Sequence, residues 1–302
     1  MSHQNASVKS ILFALLANLG IAITKTVAAV LTGSGAMLAE SIHSYADCVN
    51  QGLLFVGLNA TKKAPDTKHP LGYGKEIFFW SFIVALILFS MGGLFSVYEG
   101  IHKLSTHEGL TSPLIAIVVL AVSMVLESAS LYGCVTQIKT IRGNISFWSW
   151  FKNSSQSELI VVLGEDVAAL LGLSFALIAI VLSVVTGNPV FDAIGSIGIG
   201  VLLLAVSIFL AIKVKSFLIG QSADSLTCIA ITKLLEARPE VESILNLITL
   251  QLGPNIMVAI KVKMTTVESV DQLIANINAC ELELKKEMPA LQWVFFEPDN
   301  EK

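Results

Sequence analysis

The sequence predicts an α-helical membrane protein, with six transmembrane helices followed by a C-terminal α+β domain. Three observations carry this. The 302 residues are 54% hydrophobic and only 14% charged, and the mean hydropathy is +0.75, too apolar for a soluble chain. Six stretches, about 11–31, 36–58, 77–98, 113–136, 157–185 and 191–212, lie at or near the roughly 20 residues that a helix needs to cross hydrocarbon. After Lys215 the long apolar runs stop and strand-like patterns take over. The predicted division is therefore residues 1–219 for the six-helix part and 220–302 for the tail.

The same composition excludes other classes. A net charge of −4 without a basic tract gives nothing to follow a phosphate backbone, so no nucleic-acid partner is expected. The opening MSHQNASVKSILFALL runs into a full apolar span without a small-residue cleavage site and reads as a retained first helix. Cys48, Cys134, Cys228 and Cys280 are far apart and form no CxxC pair, so they read as small apolar side chains. In the short connections Lys9, Lys62, Lys63, Lys68, Lys75, Lys139, Arg142, Lys152, Lys213 and Lys215 fall on one side and only Lys103 on the other. The positive-inside rule then puts both termini in the cytoplasm.

The first span holds Lys25 at depth, a candidate partner for one of the fifth-span acids, Glu165 or Asp166, or a side chain that snorkels outward. The turn TGSG, residues 32–35, makes spans one and two antiparallel neighbours, with Gly33 and Gly35 free to take positive φ. The second span is the informative one. At about 100° per residue, Glu40, His43, Ser44, Asp47, Asn50 and Gln51 share one sector of about 120°, with Leu38, Ile42, Tyr45, Val49 and Leu53 opposite. Ionisable groups at membrane depth are costly and mark a site by default. His43 and Asp47, one turn apart on the stripe, have the spacing to reach one metal ion; the alternative is that they simply pair with each other.

The loop KKAPDTKHPLGYGKE, residues 62–76, has two prolines and two glycines and cannot be a continuous helix. Its Asp66 and His69 are a possible second metal site, although loop Asp and His side chains are more often merely solvated. Span four carries Glu127, and NISFWSWFKNSSQ after it has the aromatics of a headgroup-level segment. Span five sets Glu165 beside Asp166. Adjacent carboxylates at membrane depth repel unless one is protonated or a cation lies between them, which favours cation or proton handling. Gly164 and Ala168, roughly opposite Asp166, offer a small-residue surface for close helix packing.

In the tail, Asp224 or Ser225 caps a helix running to Ala237, before Pro239. Residues 241–252 and 256–264 read as strands joined by the turn Gly253-Pro254-Asn255. A helix over about 268–287 and a last strand QWVFFEP complete a ferredoxin-like αββαβ order. A sheet of this size with a free edge gains from pairing with a copy of itself.

Four stretches, GSGAMLAESIHSYAD, HPLGYGKE, EDVAALLG and FDAIGSIGIGVLLL, resemble the cation diffusion facilitator family of divalent-metal transporters over nearly the whole chain. The Glu-Asp pair resembles a divergent branch that includes zinc transporter-like proteins of animal mitochondria. The resemblance implies a homodimeric antiporter that moves Zn, Mn, Fe, Co or Cd out of the cytoplasm, or into a compartment, in exchange for protons. The tail would then be a dimerisation and regulatory domain. It also implies a transport site with two ligands each from spans two and five. Here these are His43, Asp47 and Asp166, with Val162 at the remaining position, where no bond to metal can form. Glu165, Ser44 or a water would have to fill the gap, and Glu165 is favoured for its longer reach. One His, carboxylates and no thiolate suit Zn, Mn, Fe or Co and suit Cu(I) poorly.

The loop site implied by the resemblance corresponds to Asp66 and His69, with Tyr73 where a further histidine would stand, so it is weakened or lost. All five histidines, at 3, 43, 69, 102 and 107, precede the tail, which excludes a histidine-bridged metal cluster there. The metal is substrate, and no prosthetic group is expected. A passive cation channel is the alternative reading; it would need a lined pore. Glu40-Ser41-Ile42-His43 superficially resembles half of a metalloprotease motif, but the second histidine is missing, so an enzyme is not expected. A multi-pass protein of a bacterial inner membrane is the expected setting.

Overall fold

The computed structural model describes residues 18–106, 111–154 and 157–301. Helix α1 covers Asn18–Thr32, so the start of the first predicted span lies outside the described residues. Helix α2 (Gly35–Ala60) follows after a turn of two residues. Helix α3 runs over Glu76–Thr106, eight residues beyond the predicted end, and passes through a π-helical segment at Leu88–Leu94. Then come α4 (Pro113–Arg142), the short α5 (Phe147–Asn153), α6 (Ser157–Thr186) and α7 (Val190–Ile219). Helices α3, α4, α6 and α7 are long and apolar enough to cross a membrane. Helix α2 has the length, at 26 residues, but its polar stripe dilutes its hydropathy, and α1 is described over 15 residues only.

Local chemistry explains the ends of these elements. Gly33 has φ +65, as the tight turn requires. Gly35 does not take the positive φ expected of it; it opens α2, and its N–H donates to Asp192 Oδ2 at 2.7 Å. Asp192, in the first turn of α7, also accepts from Ser34 Oγ at 2.5 Å, so a carboxylate from another helix caps α2. Lys103 Nζ donates to the Gly33 carbonyl and lies 3.5 Å from Asp192. The aromatic segment after α4 folds into α5, where the Ser146 side chain accepts from Ser149 N. Gly164 packs on Leu210 of α7, as its small-residue surface predicted.

The tail has the predicted element order. Helix α8 (Ser225–Glu236) is capped by Asp224, which accepts from Leu226 N and Thr227 N. Strands β1 (Val241–Leu252) and β2 (Asn255–Met264) pair antiparallel across Gly253, whose φ is +66. Helix α9 (Val270–Glu287) then returns the chain so that β3 (Leu291–Pro298) pairs parallel with β2. The strand order is β1-β2-β3. Alternation in β2 sends Ile256, Val258, Ile260 and Val262 into one core with Ile231, Leu235 and Leu284, while the opposite face leaves Ile248 and Phe295 exposed.

The chain divides into two compact units, residues 1–56, 80–144 and 158–214 in one and 57–79, 145–157 and 215–302 in the other. The second unit therefore takes in the α2–α3 loop as well as the tail. Gly74 meets the β1–β2 turn so closely that a side chain there would overlap the Leu252 carbonyl. Phe78 stacks on Phe217 with ring centroids 4.8 Å apart.

Candidate functional site

The polar stripe of α2 faces inward. Glu40, His43, Ser44 and Asn50 are buried, Asp47 and Gln51 half-buried, and Val49 on the opposite face is exposed. Antiparallel packing of α1 against α2 brings hydroxyls and charges together. Thr26 Oγ1 lies 2.7 Å from Ser41 Oγ, and Lys25 Nζ donates to Ser44 Oγ at 2.8 Å and to Glu40 Oε2 at 3.2 Å. Lys25 thus neither snorkels nor pairs with the acids of the fifth predicted span; it forms a buried ion pair with Glu40.

Beyond that pair opens a cavity of about 220 Å³ whose wall includes Asp47, Gln51 and Ser44 from α2, Glu127 and Ser130 from α4, and Val162, Glu165 and Asp166 from α6. Its dimensions suit an ion with part of its water shell. Two of the carboxylates are held in place. Asn50 Nδ2 donates to Glu165 Oε1 at 2.6 Å, and Ser130 Oγ donates to both Asp166 oxygens at longer range, 3.3 and 3.4 Å. Four carboxylates around one small space repel each other, and a cation relieves this.

Of the residues singled out from sequence, Asp47, Glu165 and Asp166 share this wall, and Val162 stands in it as an apolar gap. His43 does not reach the wall. It is 1% exposed, and its Nδ1 lies 3.6 Å from Asp47 Oδ1, too far for a hydrogen bond. Neither His43 nitrogen, nor Asp47 Oδ1, Glu40 Oε1 or Asn50 Oδ1, has a hydrogen-bond partner among the described residues. Buried polar atoms left open in this way cost roughly 1–3 kcal/mol each. Among the described residues no three His, Cys, Asp or Glu side chains converge on a single point fit for a metal ion; the donors ring the cavity. Glu127 belongs to that ring. Sequence reasoning noticed it as an acid at depth but gave it no role, because nothing in α4 alone shows which neighbour it faces.

The second candidate pair has a different character. Asp66 Oδ1 accepts from Lys68 N at 2.9 Å and His69 N at 2.7 Å, and Oδ2 accepts from Tyr73 Oη at 2.6 Å. The Tyr73 hydroxyl above all, with the His69 amide, holds the Asp66 carboxyl below its ordinary range. His69 Nδ1 is 3.5 Å from Asp66 and its ring lies 4.3 Å from that of Tyr73. This loop has the geometry of a turn closed on its own carboxylate.

The fold and the cavity define a helical membrane protein with carboxylates gathered inside its bundle. The family model for the cation efflux transmembrane domain matches residues 11–219, and the chain belongs to that family. It is 39% identical over 222 residues to the proton-coupled zinc antiporter SLC30A9, mitochondrial, of Xenopus laevis, covering 73% of this chain and 40% of that protein. It is 34% identical over 225 residues to metal tolerance protein C4 of Arabidopsis thaliana, covering 74% and 49%. Against magnetosome protein MamB of Magnetospira sp. (strain QH-2) the identity is 28% over 213 residues, covering 70% and 68%. The chain thus spans less than half the length of the first two relatives.

Proposed function

We propose that this chain exports a divalent metal cation, Zn, Mn, Fe, Co or Cd, by exchange for protons through alternating access, and that it is not an enzyme. The observation that carries the reading is the small cavity walled by Asp47, Glu127, Glu165 and Asp166, with open buried polar atoms beside it among the described residues. One relative is a proton-coupled zinc antiporter, which supports zinc among the substrates and proton exchange as the driving force.

Asp47 and Asp166 are the principal ligands, and Glu165 and His43 complete the set by small side-chain rotations when metal enters. Glu127 is placed to contribute the oxygen that Val162 cannot. Carboxylate and imidazole ligands must shed protons to hold a dication, so metal entry releases protons and proton entry expels metal. Rocking of helices around the cavity would expose it to each side in turn.

Several accompanying assignments belong to the same proposal. Residues 1–219 form the transport domain and 220–302 the dimerising domain, in which the exposed apolar sheet face around Ile248 and Phe295 supports pairing with a second copy. Both termini face the cytoplasm, in a bacterial inner membrane. Asp66 and His69 shape their loop, because the Asp66 oxygens are already taken.

The test is metal uptake into everted vesicles or proteoliposomes with an imposed pH gradient, scanned across Zn, Mn, Fe, Co and Cd. Asp47→Ala and Asp166→Ala are each expected to abolish uptake while the protein still folds. Normal uptake in both would overturn the site, and flux indifferent to the pH gradient would indicate a channel.

A further inference from the structure

We propose that Lys25 is a resident counter-cation of the metal cavity, a positioning residue whose fixed charge sets how tightly the cavity holds a dication. The inference rests on the transport site proposed above. Lys25 is fully buried on α1, and its ammonium is held between Ser44, 2.8 Å away, and Glu40, 3.2 Å away. Ser44 belongs to the cavity wall. Glu40, Ser44 and Asp47 follow one another along the inward face of α2, so the ion pair presents its positive end toward the cavity. The wall itself contains no Lys or Arg among the described residues.

A buried ion pair is a poor device for stability alone, since an apolar or neutral pair of equal volume holds helices together as well or better. Glu40 is also incompletely used by Lys25: its Oε1 has no hydrogen-bond partner among the described residues and abuts Gly172 of α6, where a side chain would overlap it. A positive charge bonded to Ser44 of the cavity wall has two consequences for the wall's carboxylates. It offsets part of their repulsion when the cavity is empty, and it weakens the hold on an incoming dication, so that metal leaves at a useful rate.

The experiment measures Zn²⁺ affinity and release by the full chain in nanodiscs at one pH, for wild type, Glu40→Gln and the double variant Lys25→Met/Glu40→Gln. Glu40→Gln leaves the ammonium uncompensated and is expected to weaken Zn²⁺ binding about tenfold. The double variant removes both charges and is expected to bind Zn²⁺ several-fold tighter than wild type and to release it more slowly. If Glu40→Gln does not fold, the double variant, neutral at both positions, decides by itself. A purely structural pair would shift the unfolding temperature and leave Kd alone; Kd within twofold of wild type in every folded variant overturns the inference. Asp47→Asn/Asp166→Asn separates the two levels. If it abolishes binding while the Lys25 and Glu40 variants match wild type, only this inference fails; if it leaves binding intact, the cavity reading fails.

Discussion

Two regions of this chain present an aspartate and a histidine within one turn of each other, and they differ in what their polar atoms are doing. In the α2–α3 loop, Asp66 accepts two backbone N–H groups and the Tyr73 hydroxyl. Inside the bundle, His43 and Asp47 are spaced just as closely, yet both His43 nitrogens and Asp47 Oδ1 have no hydrogen-bond partner among the described residues. The loop carboxylate is about half exposed and could have used water; the bundle histidine, 1% exposed, could not. Residue type is equal in the two places. Vacant bonding capacity where water is scarce distinguishes a place prepared for something else from a turn that is finished.

The largest effect that would break this contrast concerns transport. Asp47→Asn combined with Asp166→Asn is expected to lower metal flux at least 100-fold, since each neutral amide loses a charge-assisted bond to the dication. Asp66→Asn should leave flux within twofold, and equal losses in the two variants would erase the distinction. Next comes Asn50→Ala. It strands Glu165 Oε1, now held at 2.6 Å, and should cost about 1–3 kcal/mol of stability without metal. Saturating Zn²⁺ should recover part of that in thermal unfolding if Glu165 turns to the metal. Ser130→Ala removes only long contacts of 3.3 and 3.4 Å to Asp166, so Zn²⁺ affinity should change by threefold or less in a titration.

The smallest effect is a titration in the loop. Because Asp66 is held below its ordinary range, first by Tyr73 and then by the His69 amide, its contribution is present above the unfolded carboxylate value, about 4. That contribution disappears as pH falls through the lower folded value. Tyr73→Phe should move the Asp66 carboxyl titration, followed by carbon-13 NMR, up toward the ordinary range. An unmoved midpoint would show that the hydroxyl contact does not exist in solution.

Much of this was legible along the chain. The inward stripe of α2 follows from 3.6-residue periodicity, and Glu165 beside Asp166 drew attention to the stretch of α6 that lines the cavity, because acids at depth rarely stand there without a partner. The tail was readable for the same local reason: Asp224 caps α8, Gly253 turns the hairpin, and β2 alternates. Errors arose where a partner from far along the chain intervened. Gly35 looked like a second turn glycine, but Asp192 captures its amide and starts the helix there.

By itself, then, the sequence determined which faces are apolar, where the long helices after the first begin to within about a turn, and which acids sit inside apolar helices, because each depends on neighbours within about one helical turn, whereas α3, α4 and α7 run six to eight residues past their predicted ends. Only the tertiary structure decided that Lys25 pairs with Glu40, that Glu127 joins Asp47, Glu165 and Asp166 around one cavity, and that Asp66 closes its own loop. The first two depend on how separate helices are turned toward one another, and the third on where a flexible turn brings the Tyr73 hydroxyl. Spacing along a chain does not encode such contacts between distant groups; packing does.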